Sequence, residues 1–222
     1  MRLQVPMVWQ KRYSVDCALA MTAMIMSYYE DRATVKDLKK SIKVYKGGTW
    51  MPQHGIHFLD GGYSVEIVSQ STEVFTLKDR HRSQENLERK LRRLEKEAKE
   101  ENKRGSGGEG ISYPLSRVFN YYALFMEKGG RIRIKIPTEE DIRTEIKAGR
   151  PVGANLRSDF LLRNTPRNNN HAMVIVGIEG KNILVQDPYP CVGGGLMEYH
   201  IDDFMYGLHA ASGELLCVQK DS

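Results

Sequence analysis

Residues 9–29 read WQKRYSVDCALAMTAMIMSYY, and this stretch decides the fold. From Cys17 onward it is almost continuously apolar and longer than a typical strand. We therefore predict a helix from Asp16 to Tyr29 that is buried on most sides. Ser14 or Asp16 can cap that helix, which places Cys17 in its first turn. Unpaired backbone N–H groups and the positive end of the helix dipole favour the thiolate form of a cysteine there.

Partners for a nucleophilic thiol occur near the other end of the chain. His171 begins an apolar strand, and Asp187 ends the next strand after a turn at Gly180. If the two strands form a hairpin, its open ends bring Asp187 next to His171. Imidazole can take the thiol proton and return it to the leaving group, while a carboxylate fixes the ring tautomer and stabilises imidazolium. Gln10 offers an N–H donor that, with the Cys17 backbone N–H, can form an oxyanion site.

The candidate catalytic residues are therefore Cys17, His171, Asp187 and Gln10. Each one alone also has a structural interpretation. A cysteine in an apolar helix is usually a small core residue, and a histidine at a strand start is usually structural. Asp187-Pro188 alone indicates a turn. The combination of residue type, order and local setting is what favours catalysis.

In the rest of the sequence, most predicted helices come first and most predicted strands come later. Predicted helices are a Thr34-capped helix through Leu38–Ile42, then Thr49–Asp60, Pro114–Glu127, and Ile142–Ala148 behind a Thr138/Asp141 capping box. Predicted strands are Val65–Val68, Ile132–Ile134, Pro151–Leu156, His171–Ile178, Asn182–Gln186, Leu196–Tyr199 and Glu214–Val218. Helices followed by an antiparallel sheet indicate an α+β domain.

The chain length favours one domain, residues 1–222, with an insertion. The stretch Lys78–Arg104 carries eleven Lys and Arg against seven Asp and Glu, with leucines at helical spacing. A Gly-rich run follows it at 105–110. We therefore expect residues 78–110 to be a basic, mostly exposed helical insertion with a flexible linker, accessory to the catalytic core. The interleaved acids favour a solvated face, so no nucleic-acid partner is expected.

Other classes of protein are disfavoured. No stretch is apolar enough for a membrane span, and the N-terminus has no apolar signal region, so we expect a cytoplasmic location. Cys17, Cys191 and Cys217 show no CxxC spacing, which favours free thiols over a disulfide framework or zinc site, with Cys191 a bystander. His54 and His57 share a helix face but lack a third ligand, so local packing or the lining of a cleft is expected. No cofactor and no metal are expected.

Five segments carry a resemblance to a known family: VPMVWQ at 5–10, DCALAM at 16–21, GRPV at 149–152, NHAMVIVG at 170–177 and VQDPY at 185–189. They resemble the peptidase C39-like group of papain-fold proteins. The resemblance covers the N-terminal third and the region from Thr138 onward, and residues 78–128 have no recognised counterpart. It implies a papain-like fold, with an N-terminal helical part carrying the nucleophile and a C-terminal antiparallel sheet carrying the His and Asp.

In that family the Gln supplies the oxyanion hole, the Cys is the nucleophile, and the His and Asp complete the triad. These roles carry over by resemblance to Gln10, Cys17, His171 and Asp187. Two positions depart from the pattern. Ala18 stands where family members commonly have Gly, and the spacing from Gln10 to Cys17 is one residue longer, so the intervening loop has to bulge.

The resemblance implies a cysteine peptidase that hydrolyses a peptide or amide bond through a thioester, with a peptide or protein as substrate. Two alternatives stay open from the residues alone. One is an acyltransferase that uses the same triad and passes the acyl group to an amine. The other is a peptide-binding module without turnover.

Overall fold

The structure is a computed structural model that describes residues 1–103, 115–157, 170–191 and 194–220. Within these ranges the helices are α1 Cys17–Tyr28, α2 Val35–Ser41, α3 Met51–Asp60, α4 Gln84–Lys103, α5 Leu115–Glu127, α6 Glu139–Lys147 and α7 Ile201–Ala210, with a 3₁₀ helix at Leu77–His81. The strands are β1 Tyr63–Ser69, β2 Arg131–Ile134, β3 Val152–Leu156, β4 His171–Glu179, β5 Asn182–Asp187, β6 Gly195–His200 and β7 Glu214–Lys220. No helix in these ranges is long and apolar enough to cross a membrane.

The strands form one sheet of seven in the order β2-β1-β7-β3-β4-β5-β6. The predicted α+β class is confirmed, and the C-terminal strands that carry His171 and Asp187 are antiparallel as predicted, but the sheet also has a parallel edge. There β1 and β2 pair in parallel, while the other neighbours are antiparallel. Parallel neighbours need a long crossover connection, and the helical segment between β1 and β2 supplies it.

Most predicted elements are confirmed with shifts of a few residues at their ends. Thr34 caps α2 by accepting a hydrogen bond from the Asp37 N–H at 3.2 Å, and the Thr138/Asp141 capping box precedes α6. Helix α7 was not predicted. Its signal is nevertheless in the sequence, because Ile201, Phe204 and Leu208 recur at i, i+3 and i+7 and are buried.

Helix α1 lies directly on the sheet. A Cβ placed on Gly153 of β3 would lie only 2.8 Å from the Sδ of Met21, so the missing side chain lets the helix approach this closely. At the far end of α1 the Tyr28 hydroxyl donates to Gly149 O and the Tyr29 hydroxyl to Val218 O, each at 2.7 Å. These contacts fix the helix that carries Cys17 relative to the strands.

A buried histidine ties α1 to α3. His54 is fully buried, and its ring nitrogens bond to the hydroxyls of Thr22 and Thr49, each at 2.7 Å. The Thr22 hydroxyl donates in turn to Ala18 O at 2.9 Å. Burial and the neighbouring His57 lower the pKa of His54 to about 3, so the ring is neutral. The interpretation of His54 as a packing residue is confirmed.

The basic stretch forms α4, as predicted, and its charged face is exposed. Its apolar face is not, because Leu87 and Leu91 are fully buried in the main hydrophobic core. Arg92 also joins α4 to α5 by donating to Glu127 at 2.6 Å. The expectation of a mostly exposed accessory helix is therefore wrong for the leucine face. The predicted Gly-rich linker at 105–110 lies outside the described residues.

We predict that Leu91→Ala destabilises the protein by about 2–5 kcal/mol, because it leaves a cavity between α4 and α5. Urea unfolding followed by circular dichroism measures the change. Arg93→Ala is the matched control on the exposed face of the same helix and should shift stability by no more than about 0.5 kcal/mol. Equal effects of the two substitutions would show that the leucine face is not part of the core.

Candidate active site

Cys17 is the first residue of α1 and is partly buried. Asp16 occupies the N-cap position, but its side chain makes no capping hydrogen bond to the helix. Instead, its buried carboxylate accepts a hydrogen bond from Lys39 Nζ at 2.8 Å. The predicted capping role of Asp16 is therefore wrong, since Lys39 holds the carboxylate. The first backbone N–H groups of α1 are therefore not hydrogen-bonded to the Asp16 side chain.

The hairpin of β4 and β5 places the other two triad candidates together. Val174 pairs with Gln186, and because side chains alternate along a strand, Asp187 and His171 belong to the same face. His171 Nε2 lies 2.7 Å from Asp187 Oδ1. Asp187 is fully buried, and its Oδ1 also accepts from the Tyr189 N–H at 2.9 Å. Both donors bond to Oδ1, while Oδ2 is buried without a hydrogen-bond partner among the described residues.

Cys17 lies close to His171, and a hydrogen bond between the thiol and the imidazole acts on the pKa of both groups. Burial acts to raise the Cys17 pKa, but the hydrogen bond and positive charge of His171 outweigh it, and the pKa falls below its ordinary value. The backbone N–H groups of Ala172 and Ala18 lower it further. The start of α1 therefore contributes a donor to the thiolate, as the sequence predicts.

His171 shows the complementary shift. Its burial acts to lower its pKa, whereas the hydrogen bonds to Asp187 and Cys17 raise the pKa, to about 10. The raised pKa of the imidazole and the lowered pKa of the thiol favour the same ion pair, a thiolate beside an imidazolium. Such a pair is nucleophilic at neutral pH without further activation.

Gln10 lies in the loop before α1 and is 5% exposed. Its Nε2 donates to Ser14 O at 3.0 Å, and its backbone N–H donates to Pro188 O at 3.0 Å. The loop turns through Tyr13, which has a positive φ of 60°. The turn accommodates the additional residue. Gln10 is thereby tied to the segment that follows Asp187, although within the described residues its side chain bonds only to Ser14.

Two tyrosines around Asp187 were missed by the sequence analysis. Tyr189 donates its N–H to the carboxylate and packs edge-on to the His171 ring at 6.1 Å. Asp side chains commonly form a turn by accepting a hydrogen bond from the backbone N–H two residues on. The sequence Asp-Pro-Tyr therefore indicated that the Tyr189 N–H could bond to Asp187. Tyr199 was not recognisable, because its place depends on the pairing of β5 with β6. Burial and the Asp187 charge raise the pKa of Tyr199 to about 12.

The loop after Asp187 packs against Trp9, and this contact requires glycine. Gly194 has φ of +65°, and a Cβ there would lie 2.2 Å from Tyr189 O and 2.8 Å from Trp9 Cζ3. A side chain at this position would displace both neighbours. Gly194 is therefore needed for close packing beside the candidate site.

The other cysteines differ from Cys17. Cys217 is buried, and its burial raises its pKa well above the ordinary value. Cys191 is partly exposed, and all three thiols are free. In the part of the chain that the structure describes, no group of three or more His, Cys, Asp or Glu side chains could hold a metal ion.

Known proteins resemble this chain in family and in fold. The model of the Peptidase_C39 like family matches residues 2–206. No curated protein sequence matches the chain.

Solved structures show the same fold at low identity. A double glycine motif protease from an AMS/PCAT transporter, in complex with the leader peptide, is 14% identical with a TM-score of 0.50, covering 99% of this chain and 94% of that one. The peptidase domain of Streptococcus ComA, a bifunctional ABC transporter of a quorum sensing pathway, is 11% identical with a TM-score of 0.52, covering 98% and 100%. A C39-like peptidase from Bacillus anthracis is 14% identical with a TM-score of 0.50, covering 99% and 96%.

We predict that iodoacetamide labels Cys17 before Cys191 and Cys217 at neutral pH, because His171 keeps the Cys17 pKa below that of an ordinary thiol. Asp187→Asn should lower the pKa of His171, weaken the ion pair and move the midpoint of Cys17 alkylation to higher pH. Peptide mapping from about pH 5 to 10 measures both effects. Earlier labelling of Cys191, or an unchanged profile in the variant, would contradict the assignment.

Proposed function

The chain belongs to the peptidase C39-like family and is a papain-like cysteine peptidase, and from this premise we propose that Cys17, His171, Asp187 and Gln10 form its catalytic site. The family match favours peptide hydrolysis over the acyltransferase and the peptide-binding module. One observation carries the assignment. A cysteine at a helix start, a histidine at a strand start and a buried aspartate join in one hydrogen-bonded series, with 2.7 Å between His171 Nε2 and Asp187 Oδ1.

In the proposed acylation step the Cys17 thiolate attacks the carbonyl carbon of the scissile bond. The carbonyl π electrons move to oxygen and give a tetrahedral oxyanion. Imidazolium His171 then donates its proton to the amide nitrogen, the C–N bond breaks, and the amine product leaves a thioester on Cys17. Asp187 keeps the ring in the orientation and tautomer that this transfer needs.

Deacylation uses the same groups in the reverse sense. Neutral His171 takes a proton from water, and the hydroxide oxygen attacks the thioester carbonyl. Collapse of the second tetrahedral intermediate breaks the C–S bond and releases a carboxylic acid. The thiolate then stands beside imidazolium again, so atoms and charge balance over the cycle.

Gln10 is proposed as an oxyanion donor together with the backbone N–H of Cys17. An amide nitrogen carries two N–H groups, and Ser14 accepts from one of them, which leaves the second for substrate. The backbone bond from Gln10 to Pro188 supports the role, because it ties this loop to the segment after Asp187. A preorganised donor of this kind typically contributes 10²–10³ in kcat.

We propose a peptide or protein substrate, since one structure of similar fold holds a leader peptide. Three free thiols support a reducing compartment, and we propose the cytoplasm. We further propose that residues 1–222 form one domain and that residues 78–110 are an insertion in it. The packing of Leu87 and Leu91 supports an insertion that contributes to the core of the same domain.

We predict a graded loss of turnover in variants assayed on a peptide pool by mass spectrometry. Cys17→Ala and His171→Ala should abolish cleavage, and Asp187→Ala should lower kcat on the order of 10³, because the ring loses its acceptor. Gln10→Ala should lower kcat on the order of 10² through the loss of one oxyanion donor.

Cys191→Ala and His200→Ala are matched controls and should retain full activity. Products with added mass in place of cleaved fragments would indicate acyl transfer, and retained but unchanged peptides would indicate binding alone. A fully active Gln10→Ala enzyme would remove that residue from the site.

A further inference from the structure

A cleft of about 420 Å³ opens where the loop before α1 meets helix α2. Cys17 and His171 do not line it, but Asp16, the residue before Cys17, and the proposed oxyanion residue Gln10 do. Its lining comes from the loop before α1, the start of α1 and helix α2, and consists of Trp9, Gln10, Lys11, Asp16, Val35, Lys36 and Lys39.

The charge of this cleft is positive. Three lysines meet there, Lys11 from the loop and Lys36 and Lys39 from one face of α2. Lys39 is paired with Asp16 at 2.8 Å. Among the described residues, neither Lys11 nor Lys36 has an acidic partner. Like charges three residues apart on a helix repel each other, so α2 bears a small cost that an anionic ligand would offset.

The arrangement differs from that of an ordinary solvated helix face. Lys40, the next residue on α2, is paired at 2.7 Å with Asp37 on the same helix. Within the described residues, Lys11 and Lys36 line the cleft without an acidic partner, whereas Lys40 has a local acid. Two chain segments supply these groups, which makes the cleft a three-dimensional feature instead of a run of basic sequence.

Gln10 gives a second, independent indication of a ligand. Its Oε1 is buried and has no hydrogen-bond partner in the described part of the chain. A buried carbonyl oxygen without a partner is costly, and a peptide N–H is a suitable donor for it. Trp9, half exposed at 50%, adds an apolar wall next to it. The site thus offers an acceptor for backbone, a wall for aliphatic atoms and cations for a carboxylate.

We propose that this lysine cleft is a substrate subsite that binds an Asp or Glu side chain of the peptide close to the scissile bond. The proposal rests on the peptidase function assigned above. The peptide backbone N–H donates to Gln10 Oε1, and the carboxylate lies between Lys11 and Lys36. Because the cleft adjoins Cys17 through Asp16 and an extended chain advances about 3.3 Å per residue, the acidic residue lies within a few positions of the cleaved bond.

The test uses a pool of synthetic peptides in which every sequence is present twice, once with Glu and once with Gln at one position. Mass spectrometry gives the ratio of cleavage rates for each pair. The Glu member should be cleaved about three- to tenfold faster, because two partly solvated ammonium groups each contribute modestly. The preference should shrink at about 0.5 M salt, which screens such pairs.

The decisive variant is Lys11→Gln/Lys36→Gln, which should bring the ratio of the Glu to the Gln cleavage rates close to one. Lys40→Gln/Lys147→Gln removes the same charge outside the cleft and should preserve the preference. A ratio near one in the wild-type protein, or the same ratio in both double variants, would overturn the subsite and leave the peptidase assignment intact.

A binding measurement separates failure of the subsite from failure of the proposed function. Fluorescence anisotropy with Cys17→Ala, which cannot turn over, compares the affinities of the same labelled peptide pairs. Tighter binding of Glu peptides that is lost in the Lys11→Gln/Lys36→Gln background supports the cleft whether or not cleavage occurs. Equal affinities overturn it. Absence of cleavage together with an unreactive Cys17 in the wild type would overturn the peptidase assignment.

Discussion

The packing of α1 on the central strands is the contact on which the candidate site depends. Cys17 and His171 come from opposite ends of the sequence, and a shift of an ångström would break the bond between thiol and imidazole. The absence of a side chain at Gly153 lets the helix approach the sheet. The hydroxyls of Tyr28 and Tyr29 hold its far end. Cys17 at the start of a helix and His171 at the start of a strand are thereby held close together. Rigid elements fix their relative position more precisely than loops would.

Two buried histidines, His54 and His171, differ in protonation state because their hydrogen-bond partners differ. Burial acts to lower the pKa of both rings. The pKa of His54, whose ring bonds to two hydroxyls, falls to about 3. His171 lies near 10, because Asp187 and Cys17 supply negative charge that outweighs the burial. The neutral ring of His54 joins two helices, and the charged ring of His171 belongs to the proposed catalytic site. Burial alone therefore does not predict the state of a histidine, whereas the charge of its partners does.

Local signals in the sequence predicted much of the fold and the candidate triad, and non-local features account for what was missed. The hairpin from His171 to Asp187 follows from alternation and one glycine turn, so the proximity of the two residues could be derived. The parallel pairing of β1 with β2 joins segments far apart and left no local pattern. The position of Tyr199 near Asp187 likewise depends on a strand register that alternation does not fix. Asp16, one of the two predicted caps, occupies the N-cap position, but its side chain bonds instead to Lys39 of another helix.

The segment between β1 and β2 has two structural roles that its charge pattern conceals. Parallel neighbours need a helical crossover, and α5, with its buried aromatic face, is long enough to provide one. Helix α4 then lies on α5, and its leucines extend the core. Most of its charged side chains remain in water, whereas Glu95 is buried. A count of charges along the sequence averages over these two faces and predicts an exposed helix. The core and the surface therefore meet within α4, between its leucine face and its charged face, and not at a boundary between two stretches of sequence.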